Sequence, residues 1–327
     1  MTFLIYPILV FVFFISTLAY FRLADHYNII DHPNERSSHS EITIRGGGII
    51  FVFAAAIVVA IYPSYWLPGL GILIIGGISF LDDRFTLSGR LRLLIHLIAV
   101  SIMFSYLKVF GLHSILFITF LYVLVIGVIN MYNFMDGING ITGSYSLVVL
   151  GGLQYVNLNK IPFVEKDIIW IPILGCLTFL YYNFRKKARC FAGDVGSITI
   201  AFWIILLILR LIFVSGNWGY ILFLAVYGVD SVLTITHRII LKQNIFKAHR
   251  LHFYQLLVNE QKIPHLWVAS GYAMLQTVII CLIIFNKTLS TPGLFCTIVI
   301  PLSIIYIVFK RKMIKAKNQN VPPHDSV

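Results

Sequence analysis

The hydrophobic residues of this chain fall into eleven blocks that are separated by shorter polar segments. The blocks are roughly 17–22 residues long, which is about the length that a helix needs to cross a bilayer. Polar and apolar positions do not alternate within them, as they would in the strands of a transmembrane barrel. Backbone groups in lipid must be satisfied inside their own segment, so the blocks are predicted to be helices.

The pattern therefore predicts an all-α, polytopic membrane protein with about 11 transmembrane helices and cytoplasmic catalytic loops. Composition agrees, because only 12% of the residues are charged, whereas about a quarter are charged in a soluble domain. The chain is predicted to form one integral membrane domain over 1–327, with 310–327 as a basic cytoplasmic tail. The predicted spans are 2–21, 46–62, 66–81, 91–107, 114–131, 138–156, 168–183, 197–214, 218–235, 266–285 and 292–309.

The distribution of positive charge predicts which loops lie inside. The first apolar block has no basic residue before it, and the first positive charge is Arg22, so the N-terminus is predicted to lie outside. Alternating spans then place 20 of the 25 Lys and Arg residues in inner loops and four in outer loops. The net charge of +12 indicates a cytoplasmic face suited to the lipid bilayer and to anionic substrates. Nucleic acid is not needed to explain it.

Acidic residues cluster on the same side. Ten of the 13 Asp and Glu residues fall in inner loops, Glu165 and Asp167 lie outside, and Asp230 alone lies within a span. An ion-coupled transporter usually places acids near the bilayer midplane. The acids therefore favour an active site at the cytoplasmic surface.

The first two inner loops carry candidate phosphate-binding groups. Arg36, His39 and Arg45 precede three glycines at 46–48, and arginine side chains and glycine backbone N–H groups both bind phosphate. A positive-inside loop with a flexible helix start is the alternative. Asp82 and Asp83 end the third span, where a divalent cation or a shared proton would relieve their repulsion. Pairing with Arg84 is the alternative for this pair.

The next two inner loops combine amides, carboxylates and glycines. Asn130, Asn133 and Asp136 are spaced to share one helix face, which suits a nucleobase, a ribose or a metal-bound water. The glycine-rich turn at 193–196 leads into the N-terminus of a span, which favours a phosphate, and Ser197 is a candidate helix cap. Asp194 in that turn is a candidate Mg²⁺ ligand, since Mg²⁺ prefers carboxylate and phosphate oxygens. Phe191 is a candidate for stacking on a base.

The fifth inner loop is the longest and contains several histidines. His249 and His252 flank Arg250 and are placed to contact one diphosphate together. No Cys, Asp or Glu stands at the spacing of a zinc site, so zinc is excluded.

Taken in order, these motifs resemble the polyprenyl-phosphate N-acetylhexosamine-1-phosphate transferase family, glycosyltransferase family 4. The resemblance covers the chain from Asp31 to about Leu257. The detail is most similar to the subgroup that initiates O-antigen or other surface polysaccharides. The motifs that carry it are NERSSH…RGGG, LDDR, NxxNxxDGxxG, FxGDxGS and HRxH.

The resemblance implies a reaction in which the phosphate of undecaprenyl phosphate attacks a UDP-sugar and releases UMP. It implies that Asp194 is the main ligand of Mg²⁺, with Mn²⁺ as an alternative. Asp82, Asp83 and His252 would be catalytic, with one of the two aspartates as a candidate base. The substrate-binding residues would be Arg36, His39, Arg45, Asn133, Asp136, Asn139, Phe191, His249 and Arg250.

The resemblance also implies a multi-pass protein of the bacterial inner membrane, active on the cytoplasmic side, and a homodimer. One departure is Asn139, which stands where many relatives have a second aspartate. Two other readings remain open. The chain could be a membrane carrier for a lipid-linked sugar or an anionic metabolite, or a catalytically inactive scaffold, although Asp82, Asp83 and Asp194 are intact.

Overall fold

The computed structural model describes residues 4–31, 42–85, 87–244 and 250–319, with side chains to residue 313. Over these ranges the chain is almost entirely helical, which confirms the predicted all-α class. The helices are α1 (Ile5–His26), α2 (Ile50–Ile61), α3 (Trp66–Phe85), α4 (Gly89–Tyr106), α5 (Ile115–Met135), α6 (Ile141–Asn159), α7 (Lys166–Asn183), α8 (Gly193–Ser215), α9 (Ala225–Ile240), α10 (Phe253–Asn259), α11 (His265–Phe285) and α12 (Thr291–Gln319). Short 3₁₀ turns cover Gly47–Ile49, Pro63–Tyr65 and Trp218–Leu224.

Every predicted span overlaps one of the longer helices. Within the described ranges, eight helical segments are long and apolar enough to cross a membrane. Helix α2 belongs to a shorter apolar segment, and α6 and α7 are not among the eight. A polytopic membrane protein is therefore confirmed, whereas the count of eleven spans stays a prediction.

Helix α8 is the centre of the bundle. It packs against α3, α5 and α6, and most of its side chains are buried. Helices α1, α4 and α12 bury few residues and expose large apolar side chains. An exposed apolar surface on the outer helices is what a lipid environment requires, because helices in a bilayer are apolar on all sides.

Polar residues lie at both ends of the helical bundle. At one end the short strand β1 (Ile30–Asp31) pairs antiparallel with β2 (Thr43–Ile44), and Ile44 also bridges to Cys190. This end carries the predicted site residues. At the opposite end Asp167 accepts hydrogen bonds from the hydroxyls of Tyr6 and Tyr62. The separation of the two ends agrees with the alternation of the predicted spans.

The end of α12 differs from a solvated tail. Lys310, the first residue of the predicted basic tail, is buried. Its Nζ donates to Thr234 Oγ1 at 3.1 Å and also to the hydroxyl of Tyr306. The helix itself continues to Gln319.

Candidate active site

Asp83, at the end of α3, holds the first turn of α8 in place. Its side chain has no exposed surface. Its Oδ1 accepts the backbone N–H of Asp194 and its Oδ2 accepts that of Val195, each at 3.0 Å. Arg45 Nε also donates to Oδ1, at 2.7 Å. Because the first N–H groups of a helix have no partner within it, Asp83 caps α8 from another helix.

This arrangement corrects two expectations about the glycine-rich turn. Helix α8 begins at Gly193, and Ser197 lies in its second turn, so Ser197 is not the cap. Its Oγ donates to Asn133 Oδ1 and to the Gly193 carbonyl, each at 3.1 Å. The N–H groups of Asp194 and Val195, which were expected to favour a phosphate, are occupied by Asp83.

Asp82 points to a different set of donors. Its Oδ1 accepts the backbone N–H of Leu87 at 2.6 Å, and its Oδ2 accepts Arg92 Nη1 at 2.7 Å. The adjacent aspartates therefore have separate partners, as expected for successive positions on a helix. The alternative of an acidic pair neutralised by Arg84 is not observed for Asp82 or Asp83, which pair with Arg92 and Arg45.

Asp194 lies between the same two arginines. Arg45 Nη2 is 3.6 Å from its Oδ1, and Arg92 Nη1 is 3.9 Å from its Oδ2. The Asp194 side chain is 17% exposed, compared with 7% for Asp82 and 0% for Asp83. It is thus the most accessible and most loosely held of the three. We call Asp82, Asp83, Asp194, Arg45 and Arg92 the carboxylate cluster.

The position of Arg45 depends on the glycines that follow it. Gly47 and Gly48 donate their backbone N–H groups to the carbonyls of Phe191 and Ala192, at 2.8 and 3.1 Å. A Cβ on Gly48 would lie 2.2 Å from the Gly196 Cα. The glycines therefore allow close packing against α8, and these two N–H groups do not face an anion.

The charge of Arg45 is maintained in this setting. Burial alone would lower its pKa, but the carboxylates of Asp83 and Asp194 outweigh that effect and raise the pKa of Arg45. The guanidinium is therefore charged throughout the physiological range, with a side chain that is 34% exposed.

The predicted polar face of α5 separates into two parts. Asn133 contacts Ser197 on α8, whereas Asn130 lies against an apolar cavity and donates to the Ile126 carbonyl. Asp136 follows the last residue of α5. Burial, together with the nearby charge of Asp83, raises the pKa of Asp136 to about 7. Asp136 therefore changes its charge near neutral pH.

Asn139 joins two loops. It is buried, its Nδ2 donates to the carbonyls of Arg185 and Lys186 at 2.8 and 3.2 Å, and its N–H donates to His265 Nδ1 at 3.3 Å. The structure gives Asn139 a role in loop packing. Its contact with the substrate stays a prediction.

Phe191 is held by its backbone. Its N–H donates to the Ile44 carbonyl at 2.8 Å, and its own carbonyl accepts the Gly47 N–H. The side chain is half-buried beside the start of α8. Base stacking by Phe191 stays a prediction.

His252 is the residue that precedes α10, and it is buried. Its Nδ1 lies 3.3 Å from Asp230 Oδ1, and its ring centroid is 6.2 Å from that of Phe134 near the end of α5. Arg250 is half-buried two residues earlier. The fifth inner loop thus packs against the end of α5, next to Asp136.

Three predicted residues lie outside the described ranges, namely Arg36, His39 and His249. The segment that carries Arg36 and His39 joins β1 to β2. Asp31 and Thr43, which are described, pair with each other on the site side of the bundle.

The carboxylate cluster can be compared with what Mg²⁺ requires. No three His, Cys, Asp or Glu side chains in the described ranges are placed to hold a metal ion by themselves. Mg²⁺ is often bound through one or two carboxylates together with waters and substrate phosphates. Asp194 fits that role, because Asp82 and Asp83 direct their oxygens to other donors. The residues therefore fit an ion, Mg²⁺ or Mn²⁺, that is completed by substrate oxygens.

An apolar cavity of about 730 Å³ lies between α5, α9 and α12. Its lining includes Met131 and Phe134 of α5 and Val232 and Ile235 of α9. Phe134 also contacts His252, so the cavity reaches the polar site at that point. An apolar cavity that ends at a polar cluster suits a lipid with a charged head group.

Two charged residues of the site were not predicted from the sequence. Arg92 bridges Asp82 and Asp194, and its only signal was its position in the basic segment after the aspartate pair. Asp230 contacts His252, and its signal was that it is the one acid within a span. A buried charge within a span, such as that of Asp230, indicates a functional residue.

Known proteins resemble the chain over much of its length. The family model for glycosyl transferase family 4 matches residues 65–212. A probable undecaprenyl-phosphate N-acetylglucosaminyl 1-phosphate transferase of Bacillus subtilis is 28% identical over 260 residues, covering 72% of each chain. The undecaprenyl-phosphate alpha-N-acetylglucosaminyl 1-phosphate transferase of Haemophilus influenzae is 29% identical over 273 residues, covering 75% of this chain and 76% of that protein. Its Escherichia coli K12 counterpart is 25% identical over 283 residues, covering 76% of this chain and 75% of that protein.

Proposed function

We propose that the chain, which matches the model of glycosyl transferase family 4 over residues 65–212, transfers an N-acetylhexosamine-1-phosphate from a UDP-sugar to undecaprenyl phosphate. The observation that carries the proposal is the pairing of two features, the carboxylate cluster and an apolar cavity whose lining includes Asn130 and Phe134 near the end of α5. A lipid phosphate needs an apolar path for its chain and cations at its head group, and this site offers both.

In the proposed reaction an oxygen of the lipid phosphate attacks the sugar-bearing phosphorus of the UDP-sugar. The bond from that phosphorus to the bridging oxygen breaks, and UMP leaves with the bond electrons. A phosphate monoester has a second pKa near 6, so the nucleophile is mostly ionised at neutral pH. A strong base is then not required, which agrees with the hydrogen bonds that both Asp83 oxygens already accept.

The protein's contribution would be positioning and charge neutralisation, on which phosphoryl transfer largely depends. Arg45 and Arg92 would neutralise phosphate oxygens, and Asn133 and Asp136 would contact the nucleotide. Asp194 would hold the divalent cation, Mg²⁺ or Mn²⁺. When bound, that cation would supply neutralisation of the diphosphate charge. His252 and Arg250 would contact the diphosphate from the other side.

The relatives are named as N-acetylglucosaminyl 1-phosphate transferases, which makes UDP-N-acetylglucosamine the first donor to test. N-acetylgalactosamine and deoxy sugars such as N-acetylfucosamine and N-acetylquinovosamine are the other candidates. The product would initiate a lipid-linked surface polysaccharide such as O-antigen. The enzyme would act as a homodimer in the bacterial inner membrane with its site facing the cytoplasm.

The decisive experiment incubates purified protein with undecaprenyl phosphate, Mg²⁺ and a panel of UDP-sugars. We expect one donor to give a lipid diphosphate sugar, identified by mass, and an equal amount of UMP. A membrane carrier or an inactive scaffold would release no UMP with any donor. Asp194→Asn is the matched control, because it preserves the shape of the side chain and removes its charge.

A further inference from the structure

Asp230 lies on α9 with almost no exposed surface, and hydrogen-bond donors surround its carboxylate. Burying a carboxylate is costly unless it is paired and hydrogen-bonded. The donors come from the same helix, from the start of α10 and from α11. They are Thr234 Oγ1 at 3.2 Å, His252 Nδ1 at 3.3 Å and the Phe253 N–H at 2.9 Å on Oδ1, and the Tyr272 hydroxyl at 2.8 Å on Oδ2.

A buried cation faces the same carboxylate through one hydroxyl. Lys310 Nζ donates to Thr234 Oγ1 at 3.1 Å, and that hydroxyl donates in turn to Asp230. Lys310 therefore compensates the negative charge of Asp230 from α12. The carboxylate of Asp230 is therefore hydrogen-bonded or compensated by groups of three other helices, α10, α11 and α12.

The contacts between Asp230 and α10 show which residue Asp230 orients. The N–H groups of Phe253 and Tyr254, at 2.9 and 3.5 Å, are the first two of α10, so Asp230 caps this helix much as Asp83 caps α8. His252 is the residue before that turn, and its backbone N–H donates to Gln255 Oε1 at 3.3 Å. The Nδ1 edge of the imidazole thus faces Asp230 and the helix start.

The start of α10 is also held by contacts with the end of α5. The Tyr254 hydroxyl donates to the Phe134 carbonyl at 2.9 Å, and a Cβ on Gly137 would lie 2.2 Å from that hydroxyl. His252 is therefore clamped between Asp230 on α9 and the turn that carries Asp136.

We infer that Asp230 is a positioning residue for the transfer reaction, because its carboxylate fixes the orientation of the His252 ring beside the turn that carries Asp136. The inference rests on the proposed function. A partner at one ring nitrogen determines the orientation of a histidine and the role of its other nitrogen. Asp230 would act through His252 and would not itself touch the substrate.

The test is a double-mutant cycle with Asp230→Asn and His252→Gln, measured as kcat and KM for lipid product formation. In the wild-type background we expect Asp230→Asn to lower kcat roughly 100-fold, as misplacement of a reacting group can do. In the His252→Gln background the same change should cost less than about threefold. Equal losses in both backgrounds would overturn the inference, because they would mean that Asp230 acts on stability alone.

Asp167→Asn is the matched control. Asp167 is an equally buried carboxylate that accepts tyrosine hydroxyls at the opposite end of the bundle. Its substitution should have the same effect in both backgrounds. If Asp230→Asn cannot be recovered as folded protein, Tyr272→Phe takes its place in the cycle. Coupling of Tyr272→Phe to His252 of about twofold or more supports the inference, and additivity rejects it. An inactive wild type would instead reject the proposed function.

Discussion

Asp83 places Asp194, because its Oδ1 accepts the backbone N–H of Asp194 at 3.0 Å. The two residues are 111 positions apart and lie on different helices. The carboxylate of Asp83 is fully buried and is engaged by three donors. Taking up a proton would weaken the contacts through which Asp83 holds the start of α8. The geometry therefore favours a positioning role for Asp83, and leaves Asp194 as the most accessible carboxylate of the cluster.

This relationship predicts the behaviour of Asp83→Asn. We expect the variant to lose most of its activity, and also about 1–3 kcal/mol of stability, because it loses an ion pair and a helix cap. Raising the pH from about 6.5 to about 8.5 should not restore activity, since the lipid phosphate is already ionised. Product formation and thermal unfolding in detergent would be measured on the same sample.

Asp82→Asn is the comparison for that prediction. It should also lose most of its activity, but with a smaller loss of stability, because Asp82 does not cap α8 and keeps part of its surface exposed. Recovery of either variant at high pH would indicate that proton removal is the role of that residue.

Much of the fold could be predicted because bilayer helices are long apolar blocks, and each predicted span overlaps a helix. The short elements were missed, since α10 and the two-residue strands carry too few residues to form a pattern. The start of α8 was also misplaced. Its first turn, which includes Asp194, is polar, and it is stabilised by Asp83 from a distant part of the chain.

The sequence predicts which residues belong to the site better than it predicts which side chains those residues contact. Asp82, Asp83, Asp194 and Arg45 stand in short motifs, and the structure brings them together. Their pairing depends on contacts between helices that no local pattern encodes. Arg92 was missed because a single arginine in a basic loop has the same appearance as a residue that only sets topology.

The accessibility of Asp194 predicts a metal-dependent activity. Asp194→Asn should abolish transfer, because the amide keeps the shape of the side chain but lacks the charge that would hold Mg²⁺. Wild-type activity should also require a divalent cation. Activity would be measured with Mg²⁺, with Mn²⁺ and with excess chelator. Asp25→Asn, an exposed acid near the inner end of α1, serves as the control and should remain active. Full activity of Asp194→Asn, or of wild type in chelator, would reject the metal role.

The two polar ends of the bundle allow a direct test of orientation. Ser88 and Asn159 are both exposed, and lie at opposite ends of the helices. In a background without the four native cysteines, a cysteine at position 88 should be shielded from an impermeant thiol reagent in intact cells. A cysteine at position 159 should be labelled. Both should react after the cells are opened, and labelling of position 88 in intact cells would overturn the cytoplasmic assignment.

The last prediction concerns Asp136 and pH. Burial raises the pKa of Asp136 to about 7, so the side chain is mostly protonated below that pH and mostly ionised above it. If the carboxylate contacts the nucleotide, the KM for the UDP-sugar should fall as the pH rises from about 6 to about 8, with a midpoint near 7. Saturating lipid phosphate keeps its own titration, near pH 6, out of the measurement. Asp136→Asn should show a raised KM that no longer depends on pH, whereas Glu165→Gln at the opposite end should keep the wild-type profile. A pH-dependent KM that persists in Asp136→Asn would assign the titration to another group.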